Sequence, residues 1–471
     1  MKKIYFIAIC GTGMASLAAM FKSKGYIVYG VDENVYPPMS TFLEQQNIPV
    51  FQGFDKTHLN EKPDLVVIGN AMSRGNPEVE FVLNEKIPYI SLPAALNRFF
   101  IQEKISCVVT GTHGKTTTSS MLAWILEYAG RKPSFFIGGM PENFNGGFQV
   151  AQGEHIVLEG DEYDSAFFDK RAKFLHYQPD LLVINNIEFD HADIYNSLEE
   201  IEKAFRQLIN IVPGNGKIIA NIDDPVVADI VQKSFSQVET MALHNEAQWQ
   251  AKDLNFGNES SSFSIYFNGS WQAEVQISQS GEHNIRNALA AFVSACTLGI
   301  SVDKVVAALK EFKGVKRRLT LKKQVGEILV FDDFAHHATA VSQTLRGVKK
   351  RYPDKKIWAL FEPRSASAKR KIFEKHYYDA FDFADEVIIT PLHRPDKVQT
   401  AERLSVENII TILNEKNIKA HIMSPGEEML HYLFENKTGK DVFVFMSNGE
   451  FAHMPDRFAE RLIIDHRRKE E

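Results

Sequence analysis

The chain has 471 residues, of which 44% are hydrophobic and 24% charged, so it carries enough apolar material for two to four domains with real cores and is not a disordered protein. Its net charge of −7 argues against bulk binding to duplex nucleic acid, while leaving room for a local basic pocket that holds phosphates. Cys10, Cys107 and Cys296 match neither a disulfide framework nor a CxxC zinc pattern, and no apolar run approaches the roughly 18 residues of a membrane span. The apolar start of the chain reaches Gly11 without a signal cleavage site, so a cytoplasmic protein without nucleic-acid or membrane partners is expected.

The first predicted strand is the apolar run at residues 4–9, followed by the turn Gly11-Thr12-Gly13-Met14 and a helical pattern. Residues 27–32 read as the next strand, with later ones at 64–69 and 88–91. Strands alternating with helices predict a parallel sheet covered on both faces. The glycine turn, with Asp32 ending the next strand, looks like a dinucleotide fingerprint, but Ser16 replaces its third glycine and NAD is weakly supported. A turn feeding a helix N-terminus suits the diphosphate of a UDP group equally well, and a bare strand–turn–helix connection is the plain alternative. A second unit starts at residues 106–110 and continues through strands at 155–158 and 181–184. Within it, Phe263, Ile265 and Phe267 alternate with polar residues, Asn268-Gly269 follows, and Trp271, Ala273, Val275 and Ile277 alternate again, which predicts a β-hairpin. A third unit has strands at 357–361, 386–390 and 442–446. The joins fall at residues 102–105 and in the basic stretch 313–318, neither of them a flexible Gly/Ser tract. The fold class is therefore α/β with three domains, at residues 1–105, 106–320 and 321–471.

The strongest local signal is Gly111-Thr112-His113-Gly114-Lys115-Thr116-Thr117-Thr118, between an apolar strand and a helix carrying Met121, Leu122, Ile125 and Leu126. Small residues let backbone N–H groups wrap phosphate oxygens, and the helix N-terminus adds partial positive charge. Lys115 can reach the β- and γ-phosphates and Thr116 can offer its hydroxyl to Mg²⁺, so ATP and Mg²⁺ are expected, although Val109 stands where the general pattern has its first glycine. Carboxylates suited to a hard cation follow at two further strand ends: Glu159, Asp161, Glu162 and Asp164, then Glu188, Asp190 and Asp193 with His191 among them. Lys170, Arg171 and Lys173 read either as a solvated face or as a counter-charge for an anionic substrate. Arg364 can fork onto a carboxylate or form a structural ion pair. His336 and His337 are not spaced as a zinc pair on a helix.

These motifs, in this order and with His283-Asn284-Ile285-Arg286-Asn287-Ala288, resemble the Mur ligases, ATP-dependent amide-forming enzymes of peptidoglycan biosynthesis. Residues 32–40, 69–77, 167–171 and 332–337 look most like the branch that joins a tripeptide, L-alanyl-γ-D-glutamyl-meso-diaminopimelate, to UDP-N-acetylmuramate during recycling. The branch that adds L-alanine shares the phosphate loop and is the alternative; a nucleotide-binding module without catalysis is the alternative from another class. The resemblance implies a Rossmann-like UDP-sugar-binding domain, a central P-loop ATPase domain and a Rossmann-like domain for the amino acid or peptide. It implies catalytic roles for Lys115, Glu159 and His191, and Mg²⁺ ligation by Thr116, Glu159 and His191. It places ATP on Gly111, Thr112, His113, Gly114, Lys115, Thr116 and Thr117, with Asn284 and Asn287 at the adenine and Arg318 and Asp333 at the nucleotide as the third domain closes. By the same resemblance Gly11, Thr12, Gly13, Met14, Asp32, Asn70 and Ser73 face the UDP-sugar, and Arg364, Ser447 and Asn448 the peptide. Some positions depart from the pattern. Residues 204–207 lack the lysine that several members carbamylate, as the alanine branch does. Ala338 stands where the peptide branch usually has proline, and Glu450 where it usually has glycine.

Overall fold

Three large β-sheets, each covered by helices, follow one another along the chain in the computed structural model, which describes residues 2–257 and 259–470. The first lobe holds β1 (Lys3–Ile7), β2 (Ile27–Asp32), β3 (Val50–Gln52), β4 (Leu65–Ile68) and β5 (Tyr89–Ser91), in the order β3-β2-β1-β4-β5 and parallel throughout. β4 is apolar at every position and β1 at every position after Lys3, because both faces are covered. Ile4 and Phe6 pack to one side with Val28 and Val67, and Tyr5 and Ile7 to the other with Val31, Val66 and Ile68. The strand predicted at residues 4–9 ends at Ile7, because Ala8 takes a left-handed φ of 65° and starts the turn.

The central lobe holds β6 (Ile105–Thr110), β7 (Ser134–Phe136), β8 (Phe148–Gln149), β9 (His155–Glu159), β10 (Asp164–Ala166), β11 (Asp169–Ala172), β12 (Leu181–Ile184), β13 (Lys217–Asn221), β14 (Gln237–Ala242), β15 (Trp249–Phe256), β16 (Ser261–Phe267) and β17 (Ser270–Ile277). Ten of them form one sheet, β17-β16-β15-β14-β13-β12-β6-β9-β7-β8, and β10 with β11 forms a separate ribbon. The middle of the sheet is parallel, and β15-β16-β17 and β7-β8 are antiparallel. The expected hairpin is β16–β17, where Gly269 takes a φ of 77° at the turn. One face of this sheet (Val108, Ile156, Leu158, Leu182) shares a continuous core with the first lobe. The other face packs on the helices Lys115–Tyr128 and Glu282–Thr297.

The third lobe holds β18 (Thr320–Val325), β19 (Ile328–Asp333), β20 (Lys356–Phe361), β21 (Glu386–Ile389), β22 (Lys419–Ile422) and β23 (Asp441–Met446), ordered β18-β19-β23-β20-β21-β22, with only β18 antiparallel. Its two core faces contain no buried residue of the other lobes. Contact with the central lobe runs through a few specific points. Phe189 stacks on Phe373 with ring centroids 5.4 Å apart. The helix Ala338–Arg351 meets the turn before the helix Glu282–Thr297 so closely that a Cβ on Gly347 would lie 3.2 Å from the Gly281 Cα. Beside that contact Ser280 donates its hydroxyl to the Gly347 carbonyl, and Arg351 donates to the Ser278 carbonyl. Among the described residues no helix is long and apolar enough to cross a membrane.

Candidate active site

The C-terminal ends of the parallel strands β6, β9 and β12 open on one side of the central sheet, where an α/β crevice is expected. A cavity of about 560 Å³ lies there, walled also by Gly13 and Leu92 of the first lobe and by Arg318, Asp333, His336 and Asn448 on the third-lobe side. Three lobes thus share one cleft.

The phosphate loop links β6 to the helix that starts at Lys115. Two of its residues must be glycine. Gly111 has φ 130°, and a Cβ there would lie 2.9 Å from the Asn186 carbonyl; Gly114 has φ 82°, and its Cβ would collide with Asn287 Oδ1. Asn186 fixes the loop between them, accepting from the His113 N–H at 2.7 Å and donating to the His113 carbonyl at 3.1 Å. Lys115 Nζ lies 2.9 and 3.1 Å from the two carboxylate oxygens of Glu162. Burial works against the Lys115 charge, but Glu162, Asp161 and Glu159 outweigh it and hold the pKa above its usual value.

Two clusters of metal-type donors flank this lysine. In one, the Thr116 hydroxyl donates to Glu159 Oε1 at 2.9 Å, while Glu159 Oε2 accepts from the Gly138 N–H at 2.8 Å. Arg318 reaches across from the third-lobe side to donate to the Thr116 oxygen at 3.2 Å, its guanidinium lying over the Phe334 ring. In the other, Asp161, Glu162 and His191 place donor atoms within 4.8 Å of one another. His191 Nε2 sits 2.9 Å from Glu162 Oε1, and its backbone holds a left-handed φ of 55°. Burial lowers the His191 pKa, but Glu162 and Asp190 prevail and raise it. Asp161, opposed by burial, is held down to about 2 by Lys173, 2.7 Å away, and by Lys115. A hydroxyl and three carboxylates are hard oxygen donors that fit Mg²⁺ with water and phosphate, and the one imidazole is acceptable in a mixed shell.

The structure brings most of the sequence-predicted residues to the cleft. Thr112, His113, Gly114, Lys115, Thr116 and Thr117 line it, with Asn284, Asn287, Arg318 and Asp333. Gly111 shapes the loop from behind. Asn287 is held by the Thr118 hydroxyl at 3.2 Å and donates to Asn284 Oδ1 at 3.3 Å. Asp333 accepts from the N–H groups of Leu319 and Ala335 at 2.6 and 2.8 Å, and burial pushes its pKa up. Of the first-lobe residues expected at the UDP-sugar, Gly13 alone lines the cleft, and Gly11 caps the helix Thr12–Ser23. The Met14 side chain is in the core, so that residue offers the cleft no more than backbone. Asp32 is engaged by the Cys10 N–H at 2.9 Å, Asn70 donates to Asp164 of the β10–β11 ribbon at 3.1 Å, and Ser73 is exposed in a turn. Toward the peptide end, Asn448 lines the cleft with its Oδ1 buried and unpartnered. Ser447 turns inward to donate to Glu362, and Arg364 lies 3.9 Å from Glu362 and against Gly449. Lys170 and Arg171 pair with Asp164 and Asp169, so of that basic cluster only Lys173 faces the cleft.

Sequence reasoning did not single out Glu162, Asn186 or Phe334. Glu162 was one of four acids within six positions, and only the lysine contact distinguishes it. Asn186 could have been read from its place two residues beyond a strand that pairs with β6.

Comparison with known proteins covers almost the whole chain. A "Mur ligase family, catalytic domain" matches residues 3–104, a "Mur ligase middle domain" residues 109–295, and a "Mur ligase, glutamate ligase domain" residues 317–449. The UDP-N-acetylmuramate–L-alanyl-γ-D-glutamyl-meso-2,6-diaminoheptandioate ligase of Escherichia coli strain K12 is 39% identical over 98% of both chains. The UDP-N-acetylmuramate–L-alanine ligase of Clostridium acetobutylicum is 30% identical over 98% of both. The crystal structure of a murein peptide ligase from Psychrobacter arcticus superposes with a TM-score of 0.72 at 36% identity, covering 98% of this chain and 99% of the other.

Proposed function

The chain belongs to the Mur ligase family, and on that footing we propose that it joins L-alanyl-γ-D-glutamyl-meso-diaminopimelate to UDP-N-acetylmuramate, using ATP and releasing ADP and phosphate. The observation that carries this reading is the cleft itself, where a phosphate loop, two donor clusters and surfaces from all three lobes converge around Lys115. Full-length identity of 39% to a tripeptide ligase, against 30% to an alanine ligase, favours the peptide as acceptor. Residues 1–105 would take the UDP-sugar, 106–320 the ATP and 321–471 the peptide. A cytoplasmic location accords with ATP as substrate and three free cysteines.

In this reading the lactyl carboxylate of UDP-N-acetylmuramate attacks the γ-phosphate, and the peptide amine then displaces phosphate from the acyl phosphate. Lys115, already charged and held in place by Glu162, exchanges that carboxylate for phosphate oxygens and spreads the charge of transfer. Thr116 and Glu159 would hold one Mg²⁺, and His191, with Asp161 and Glu162 beside it, a second. Bound Mg²⁺ would supply charge neutralisation for the transferring phosphoryl group. Arg318, reaching Thr116 from the third-lobe side, ties the arrival of that lobe to a loaded phosphate loop and helps exclude water from the acyl phosphate. Asn284 and Asn287 border the adenine end; Arg364 and Asn448 offer cation and amide to the peptide.

The test is a side-by-side assay with UDP-N-acetylmuramate, ATP and Mg²⁺, adding either the tripeptide or L-alanine and measuring phosphate release and product mass. Tripeptide-dependent turnover is expected. Turnover with L-alanine alone would move the protein to the alanine branch, and a lack of substrate-stimulated phosphate release would overturn the ligase assignment.

A further inference from the structure

A third group of metal-type side chains borders the same cleft. His113 of the phosphate loop, Glu188 beyond β12 and His337, which caps the helix Ala338–Arg351, place one donor atom each within 4.8 Å of one another. His113 Nε2 is 3.5 Å and His337 Nδ1 is 3.9 Å from Glu188 Oε2. Neither contact satisfies the rings. His113 Nε2 and both nitrogens of His337 are buried without a hydrogen-bond partner, and His337 is only 6% exposed. Buried polar atoms are rarely left this way, and three in one place point to an absent ligand.

The spacing indicates what kind of ligand. Bonds of about 2.0–2.1 Å to a tetrahedral ion put neighbouring ligand atoms about 3.3–3.5 Å apart, near the separations observed. Two imidazoles and one carboxylate suit zinc and other borderline ions, whereas Mg²⁺ prefers an all-oxygen set. Thr339 donates its hydroxyl to Glu188 at 2.6 Å, the kind of outer contact that orients a ligating carboxylate.

We propose that His113, Glu188 and His337 form a binding site for a divalent transition metal, zinc by its ligand chemistry, that clamps the third lobe onto the phosphate loop. His337 finds its metal partners across the cleft and not in its neighbour His336. The site exists only while the helix Ala338–Arg351 is docked, so an ion bound there holds the loop shut and slows nucleotide exchange. Zinc binding stands independently of the ligase reading; the slowing of turnover rests on it.

The experiment titrates metal-free full-length protein with Zn²⁺ in the presence of excess Mg²⁺, and with Co²⁺ as an absorbance probe of tetrahedral coordination. Wild type is expected to show a site that His337→Gln and Glu188→Gln each weaken by at least about tenfold, with His336→Gln as the variant that keeps it. Melting curves establish that each variant is folded. Equal Zn²⁺ affinity in wild type and folded His337→Gln overturns the proposal, as does an absence of Zn²⁺ binding by wild type. Under turnover, Zn²⁺ inhibition relieved in His337→Gln supports the clamp, and equal inhibition in both proteins overturns it. If no ligase turnover is found, the metal titration still decides the site.

Discussion

The chain builds the same local element twice, a parallel strand that ends in a glycine-bearing turn and runs into a helix, and the two copies are furnished differently. In the first lobe the turn after β1 has no charged residue; Gly11 sits at an ordinary φ of −65°, and Asp32 serves to hold the Cys10 N–H. In the central lobe the turn after β6 has two glycines at positive φ, a half-buried lysine, and carboxylates at the next strand ends. Both copies present a helix N-terminus, which is enough to hold a phosphate group. Only the second adds charges fixed before the substrate arrives, which transfer of a phosphoryl group requires and simple binding does not.

Four experiments press on this contrast. The largest effect is expected from Lys115→Ala, which should lower kcat by about a thousandfold or more while UDP-sugar binding stays measurable. Near-normal turnover by that variant would erase the distinction. Next come the paired substitutions Gly114→Ala and Gly11→Ala. The first forces a side chain onto Asn287 at positive φ and should cost about 2 kcal/mol in stability and weaken ATP binding. At Gly11 the nearest atoms to a new Cβ are 3.8 Å away, so urea denaturation should find a change within about 0.5 kcal/mol. A third difference is titration. Burial depresses His283, His336 and His337 at the central cleft to about 4. From about pH 6.5 down to that value the unfolded chain binds protons that the fold refuses, so stability falls as pH drops through this window and is unaffected by these groups above it. His336→Gln should remove up to about 1.4 kcal/mol per pH unit of that slope, and an unchanged slope would show that other groups set it. The smallest effect is expected from Asp32→Ala, which loses the hydrogen bonds from the Cys10 and Asn34 N–H groups, about 1 kcal/mol by thermal melting, and raises KM for the UDP-sugar with kcat little changed.

The parallel strands were legible because burial on both faces leaves them uninterrupted apolar runs, as at β1, β6, β12 and β23. β18 was not, since Thr-Leu-Lys-Lys-Gln-Val is an exposed edge strand protected by its charges. Neither was the β10–β11 ribbon, whose short strands are rich in charged residues and read as loop. At the site, the phosphate loop announces itself because its chemistry depends on backbone and neighbouring residues. Relations between distant residues leave no such trace. Thr339 and Glu188 are 151 positions apart, and nothing local in either segment predicts that they touch. Ser447 and Met14 show the reverse relation: their positions in the sequence suit a ligand contact, while packing turns the Ser447 hydroxyl to Glu362 and buries the Met14 side chain.

The close approach of Gly281 and Gly347 gives the third lobe a lever. Ten residues of helix separate Gly347 from His337, an arm of about 15 Å at 1.5 Å per residue. Rotating that helix by about 10° around the glycine contact would sweep His337 through nearly 3 Å, as far as a whole hydrogen bond. A movement too small to alter the fulcrum would thus make or unmake every contact at the far tip, and a single methyl group at Gly347 would be enough to change the ratio.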